Sequence, residues 1–178
     1  MWRSRNVDTT KIYGVMPYVA PEVLRGKPYT QAADIYSFGM VMYFVATQRQ
    51  PFADRAHNEF LATQICNGTR PEITEKYAPK YYIDLMKMCW DSNPDNRPNA
   101  KEIEDEIKLF VKDNDTIEQF IKAHRYKIAN LPDIKNNQIT THPQAVYTSQ
   151  LLNPYIKDLP KYDDNINNNS VEVTDFTK

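Results

Sequence analysis

The sequence predicts an all-α fold built around one central apolar helix and followed by a largely irregular C-terminal tail. Three observations carry that prediction. Nearly every position from Ala32 to Ala46 is apolar, the pattern of a helix enclosed by protein on all sides. Shorter stretches repeat apolar residues at intervals of three and four, the period of amphipathic helices. After Lys112 the composition shifts toward Asn, Asp and Lys, ending in Asp163-Asp164-Asn165-Ile166-Asn167-Asn168-Asn169, a mixture too poor in apolar side chains to offset the entropy of ordering.

Taken in order, the elements are these. Asp34 stands at the start of the central helix, placed to cap it or to favour its dipole. The most apolar run, Ile35 to Ala46, is well short of the ~20 residues a membrane span needs, so burial in protein explains it. Phe60, Leu61 and Ile65 mark a shorter helix closed at Asn67-Gly68, where glycine tolerates a left-handed turn. Tyr82, Leu85, Met86 and Cys89 form one amphipathic stripe, and Ala100, Ile103, Ile107 and Phe110 another. Asn99 can cap the latter helix, with Glu102 returning the bond to the cap's own amide. Ile117, Phe120, Ile121, His124 and Ile128 predict an amphipathic helix over 116–128, capped by Thr116 with Glu118 in its first turn.

No strand pair is visible, and there is no internal repeat. The expected organisation is a short leading segment over 1–13, a folded part over 14–112 and an amphipathic helix within 113–130. A mostly disordered tail over 131–178 completes it. Within that tail, Tyr147-Thr148-Ser149 and Leu151-Leu152-Asn153-Pro154-Tyr155 stand out as short linear contacts, against the alternative of plain spacer. The central helix needs neighbours on every face. The few short helices that follow cannot surround it, so apolar surface is expected to stay bare.

Composition narrows the function classes. The chain has 178 residues, 41% hydrophobic and 25% charged, as ordinary soluble domains do. A formal net charge of −1 gives no electrostatic reason to expect nucleic acid or an anionic membrane as partner. The two cysteines, Cys66 and Cys89, are too few for a disulfide framework and lack metal-site spacing. They are expected to be buried free thiols, which fits a reducing, cytoplasmic setting. Met1-Trp2-Arg3-Ser4-Arg5 is basic, but no apolar stretch follows it as in a signal peptide.

Five motifs in register carry a family resemblance. Gly14-Val15-Met16-Pro17-Tyr18-Val19-Ala20-Pro21-Glu22 comes first, and Asp34-Ile35-Tyr36-Ser37-Phe38-Gly39 begins twelve residues after Glu22. Pro51-Phe52, Gly68-Thr69-Arg70-Pro71 and Cys89-Trp90-Asp91-Ser92-Asn93-Pro94-Asp95-Asn96-Arg97-Pro98 follow. Over roughly residues 10–112 this order resembles the back half of a protein kinase C-terminal lobe, from the end of the activation segment onward. The tyrosine-kinase-like and tyrosine kinase groups match best.

The resemblance implies a role for each motif. Ala20, Pro21 and Glu22 are similar to the Ala-Pro-Glu that ends the activation segment, and Glu22 is implied to form a buried, bidentate ion pair with Arg97. Asp34 matches the aspartate that holds the backbone of the catalytic loop. Gly39 lies in the central helix, and Trp90 packs the core. Val15, Met16, Pro17 and Tyr18 fall on the segment that faces protein substrates. Pro17-Tyr18-Val19 stands where tyrosine kinases carry a basic residue and tryptophan, which implies a serine/threonine type. Val15 replaces the threonine whose hydroxyl contacts the catalytic loop in serine/threonine kinases. Ser4, Thr9, Thr10 and Tyr13 fall where kinases carry regulatory phosphosites, against the alternative of ordinary exposed hydroxyls.

Phosphoryl transfer needs a glycine-rich phosphate cradle, a lysine, magnesium-binding Asp and Asn, and a base aspartate. The chain has four scattered glycines, no Gly-x-Gly and no Asp-Phe-Gly before Gly14. His124-Arg125-Tyr126 lacks the aspartate of a catalytic loop. No catalytic, cofactor-binding or metal-binding residue is therefore expected in this chain, while ATP and magnesium are expected of an intact parent kinase. A truncated product, an alternative start or an incomplete gene model would each account for that. The expected partner is a protein substrate or a partner kinase. The competing expectation is a non-catalytic interaction module that binds through Gly14–Tyr18 and the helix from Asn58 to Cys66.

Overall fold

A computed structural model describes residues 11–129 and 141–160 of the chain. A two-residue strand, β1 (Tyr13–Gly14), leads through a 3-10 turn at Met16–Tyr18 into the short helix α1 (Pro21–Leu24). The long helix α2 (Gln31–Thr47) follows, then α3 (Glu59–Cys66), α4 (Lys80–Cys89), α5 (Ala100–Lys112) and α6 (Asn114–Ala129). Strand β2 (Gln150–Leu151) and the one-turn helix α7 (Asn153–Ile156) end the described chain. The fold is mostly helical, as the sequence predicts. Its sheet is a single antiparallel pair, with Tyr13 opposite Leu151 and Gly14 opposite Gln150.

The central helix is α2, and its cap is Thr30. The Ala33 amide donates to Thr30 Oγ1 at 3.2 Å, which leaves Asp34 exposed in the first turn. Ile35, Tyr36, Met40, Met42, Tyr43 and Ala46 are buried in the core. Gly39 is small because α4 crosses there. A Cβ on it would lie 3.0 Å from Cys89 Cβ and 3.2 Å from the Met86 carbonyl oxygen. The bare surface expected of this helix is a stripe of Phe38, Val41, Phe44 and Val45, exposed by 37%, 44%, 40% and 59%.

Local signals set the helix ends. The Asn58 side chain accepts from the amides of Phe60 and Leu61 at the start of α3. Its other end closes through the Gly68 amide to Ile65 and the Thr69 amide to Gln64, with Gly68 at φ +90°. That pair of bonds satisfies two orphan carbonyls and needs a left-handed residue at Gly68. The Asn99–Glu102 capping box of α5 is present in both directions. The last long helix departs from expectation. It starts at Asn114, and Asp113 takes bonds from the Thr116 amide and hydroxyl, so Thr116 is a buried first-turn residue and not the cap.

The tail also needs correction. Its secondary structure is largely irregular, yet residues 141–160 are packed on the lobe and are not free spacer. Leu152 is fully buried in the main core cluster, and Tyr155, Ile156 and Leu159 pack against it. Residues 131–140 and 161–178 lie outside the described residues.

Candidate functional site

The segment from Val15 to Glu22 is held from behind by a buried ion pair. Pro21 opens α1 with its fixed φ already helical, which presents Glu22 to the core in the first turn. Arg97 follows the 3-10 turn at Pro94–Asn96. Its Nη1 donates to Glu22 Oε1 at 2.7 Å and its Nη2 to Oε2 at 2.8 Å. Nη1 also donates to the Ala32 carbonyl at 2.8 Å, and Nε to the Asp91 carbonyl at 2.9 Å. The Arg97 side chain is 0% exposed and that of Glu22 3%. One guanidinium thus ties α1, the start of α2 and the turn after α4 together. A planar fork does this and an ammonium does not.

Tyr36 forms the floor beneath. The guanidinium carbons of Arg97 and Arg70 lie 5.3 Å and 5.0 Å from its ring centroid. Desolvation pushes its hydroxyl up to about 12, so the ring stays neutral beside the two cations. Arg70 donates from Nε to the Trp90 carbonyl at 2.8 Å and from Nη1 to the Ile65 carbonyl at 3.0 Å, locking α3 to the end of α4. Trp90 itself is buried and lies tilted against Tyr43, with ring centroids 6.3 Å apart.

In front of this anchor the backbone of Tyr18 is pinned to α2, where Ser37 Oγ donates to its carbonyl at 2.7 Å. The Tyr18 hydroxyl donates to Gln50 at 2.7 Å. Of the four residues expected to face substrate, Val15 and Tyr18 are half-buried at the surface, while Met16 and Pro17 are buried. The 3-10 turn rotates those two side chains into the core, so of the four only Val15 and Tyr18 reach the surface. Tyr13 is 57% exposed, whereas Ser4, Thr9 and Thr10 lie outside the described residues. Asp34 faces solvent, and α2 is anchored without it.

Both thiols are buried and free. Burial raises the pKa of Cys66 and pushes that of Cys89 up to about 12, which leaves little thiolate and little reactivity. No helix among the described residues is long and apolar enough to cross a membrane.

Sequence reasoning missed a third group. His57 is buried beneath the tail, its Nδ1 3.0 Å from the Val146 amide nitrogen and its Nε2 3.3 Å from the Phe52 carbonyl oxygen. Tyr147 meets the imidazole edge-on at 4.9 Å and donates its hydroxyl to the Pro51 carbonyl at 2.9 Å. Nothing in the local sequence marks His57, because its partner Val146 lies 89 residues away.

These features define a protein kinase C-terminal lobe from the end of the activation segment onward. The protein tyrosine and serine/threonine kinase family model matches residues 3–107, and the chain belongs to that family. A probable serine/threonine-protein kinase of Dictyostelium discoideum is 38% identical over 120 residues, 67% of this chain and 8% of that protein. Human receptor-interacting serine/threonine-protein kinase 1 is 29% identical over 174 residues, 83% of this chain and 26% of that protein. The serine/threonine-protein kinase mos of Patiria pectinifera is 36% identical over 101 residues, 56% of this chain and 29% of that protein. The chain therefore spans less than a third of the length of each of these relatives.

The described glycines form no phosphate cradle. Each described glycine already has a local task or stands alone. Gly39 meets α4, Gly68 closes α3, Gly14 has the Val19 side chain 2.6 Å from where a Cβ would be, and Gly26 has nothing within 4 Å. No two of them build the run of backbone amides that cradles phosphates.

Proposed function

We propose that this chain is the protein-recognition portion of a serine/threonine protein kinase in signalling, and that it does not transfer phosphate alone. The Glu22–Arg97 fork carries the proposal. It fixes the Val15–Tyr18 segment in one conformation from behind, which is what a surface that reads a protein substrate requires. Pro17-Tyr18-Val19 ahead of Ala20-Pro21-Glu22 favours serine or threonine as acceptor, and the relatives' names agree. In the intact kinase, ATP and magnesium are supplied with their ligands by other parts of the domain, and Asp34 holds the catalytic loop. The bare stripe of Phe38, Val41, Phe44 and Val45 fits an α2 that meets further protein there. The buried free thiols fit a reducing, cytoplasmic location.

A second reading is a non-catalytic module that binds a partner kinase or its substrate through Val15–Tyr18 and α3. The packing of residues 141–160 on β1 and α3, beside Val15–Tyr18, supports it. Thermal melts of the 178-residue chain with Mg-ATP, alongside a phosphate-transfer assay on dephosphorylated casein, test the proposal. No shift and no transfer are expected. A nucleotide-dependent rise in Tm, or labelled casein, would contradict it.

A further inference from the structure

The last long helix, α6, joins the lobe through one face. Thr116 and Ala123 are buried there, and Phe120 meets the rings of Tyr81 and Tyr82 edge-on at 5.7 Å and 5.9 Å. A second face carries Asn114, Ile117, Ile121, His124 and Ile128, all exposed. The three isoleucines keep 42%, 45% and 54% of their surface in water. Single exposed isoleucines need no explanation, but a row of them does. Intervals of three, four, three and four make this row a heptad seam, the repeat by which one helix packs along another. Charge along the same helix is divided. Asp115 and Glu118 lie in its first half, Lys122 and Arg125 in its second. Glu118 and Arg125 each follow directly on a seam residue, at the flanking position where ion pairs between helices set orientation.

We infer that α6 is a self-association surface, on which two copies of this chain pair their α6 helices antiparallel about a two-fold axis. This pairing sets Ile117 of one copy opposite Ile128 of the other, and Ile121 opposite His124. It also sets Glu118 of each copy beside Arg125 of the other, an attraction made twice by symmetry. His124 is the polar seam residue, of the kind that fixes register at some cost in stability. A parallel pairing would instead bring Asp113 of one copy against Glu118 of the other, like charge on like. The helix is therefore complementary to itself in one orientation only.

The test is sedimentation velocity on the 178-residue chain from about 1 to 200 μM, a range suited to a seam of about two heptads. Dimer should accumulate as concentration rises. Glu118→Arg alone and Arg125→Glu alone should each weaken it at least about tenfold, because like charges then meet twice. An equimolar mixture of the two variants should recover the dimer, since every flanking pair is again opposite in sign. Ile121→Lys should weaken association as strongly, whereas Val41→Lys on the exposed stripe of α2 should leave it unchanged. A monomer throughout, or a mixture that fails to dimerise while each variant keeps the parent's Tm, would overturn the inference. So would a dimer lost with Val41→Lys and kept with Ile121→Lys, since the contact would then lie on α2. Should either charge variant lose its fold, Ile121→Lys decides: a weakened dimer supports the seam, and an unchanged one overturns it.

Discussion

At Arg97 four hydrogen bonds leave one side chain, two to Glu22 and one each to the carbonyls of Ala32 and Asp91. Glu22→Gln removes the carboxylate and strands a guanidinium with no exposure to water. Losing one partner of a buried pair costs roughly 3–5 kcal/mol, so urea denaturation should show a loss of that size. Removing both charges together should cost less than the sum of the single changes. Arg97→Lys should behave like a loss, since an ammonium cannot reproduce the fork.

His57 gives a second prediction at the same scale. Burial lowers its pKa below 6.5, and the bonds to Val146 and Phe52 oppose that only in part. The unfolded chain therefore binds the extra proton more readily as pH falls through the ordinary histidine range. Stability is full above about pH 6.5 and is lost progressively below it, toward the lower folded pKa. Melting curves between pH 7.5 and 5.5 should show Tm falling with pH, and His57→Gln should flatten that slope. A Tm that rises on acidification would contradict the assignment. The pair at Glu22 and Arg97 was legible from the motifs that frame it. His57 was not, because its burial depends on a segment far along the chain that carries no periodic pattern.

Among the elements, the helix ends and the α2–α4 crossing are the informative cases. Asn99→Ala should cost about 1 kcal/mol, the usual worth of an N-cap, as measured by chemical denaturation. Gly39→Ala forces a methyl against Cys89 and the Met86 carbonyl and should cost roughly 1–3 kcal/mol from overpacking. The Asn99–Glu102 box and the Asn67-Gly68 stop could be read directly, since each is a local rule with its residues side by side. Thr116 is not the cap because Asp113, three residues earlier, accepts from the Thr116 amide and hydroxyl and starts the helix before it. The β1–β2 pair was invisible for a different reason. Two residues give no alternation to detect, and what fixes the pairing is Leu152 entering the core.

For the molecule as a whole, the apolar run over 32–46 announced a buried helix but not which face would be left open. The structure puts that face on Phe38, Val41, Phe44 and Val45. Val45→Lys should change the stability of this chain by no more than about 0.5 kcal/mol in chemical denaturation. Met40→Ala, one turn away but fully buried, should cost about 2–5 kcal/mol. Native-state amide exchange across Ile35–Ala46 is the most direct test of a lobe organised around α2 and tied by Glu22 and Arg97. Protection near the global unfolding free energy along this helix, lowered in parallel by Glu22→Gln, is the predicted result. Rapid exchange there in the unmodified chain would contradict it.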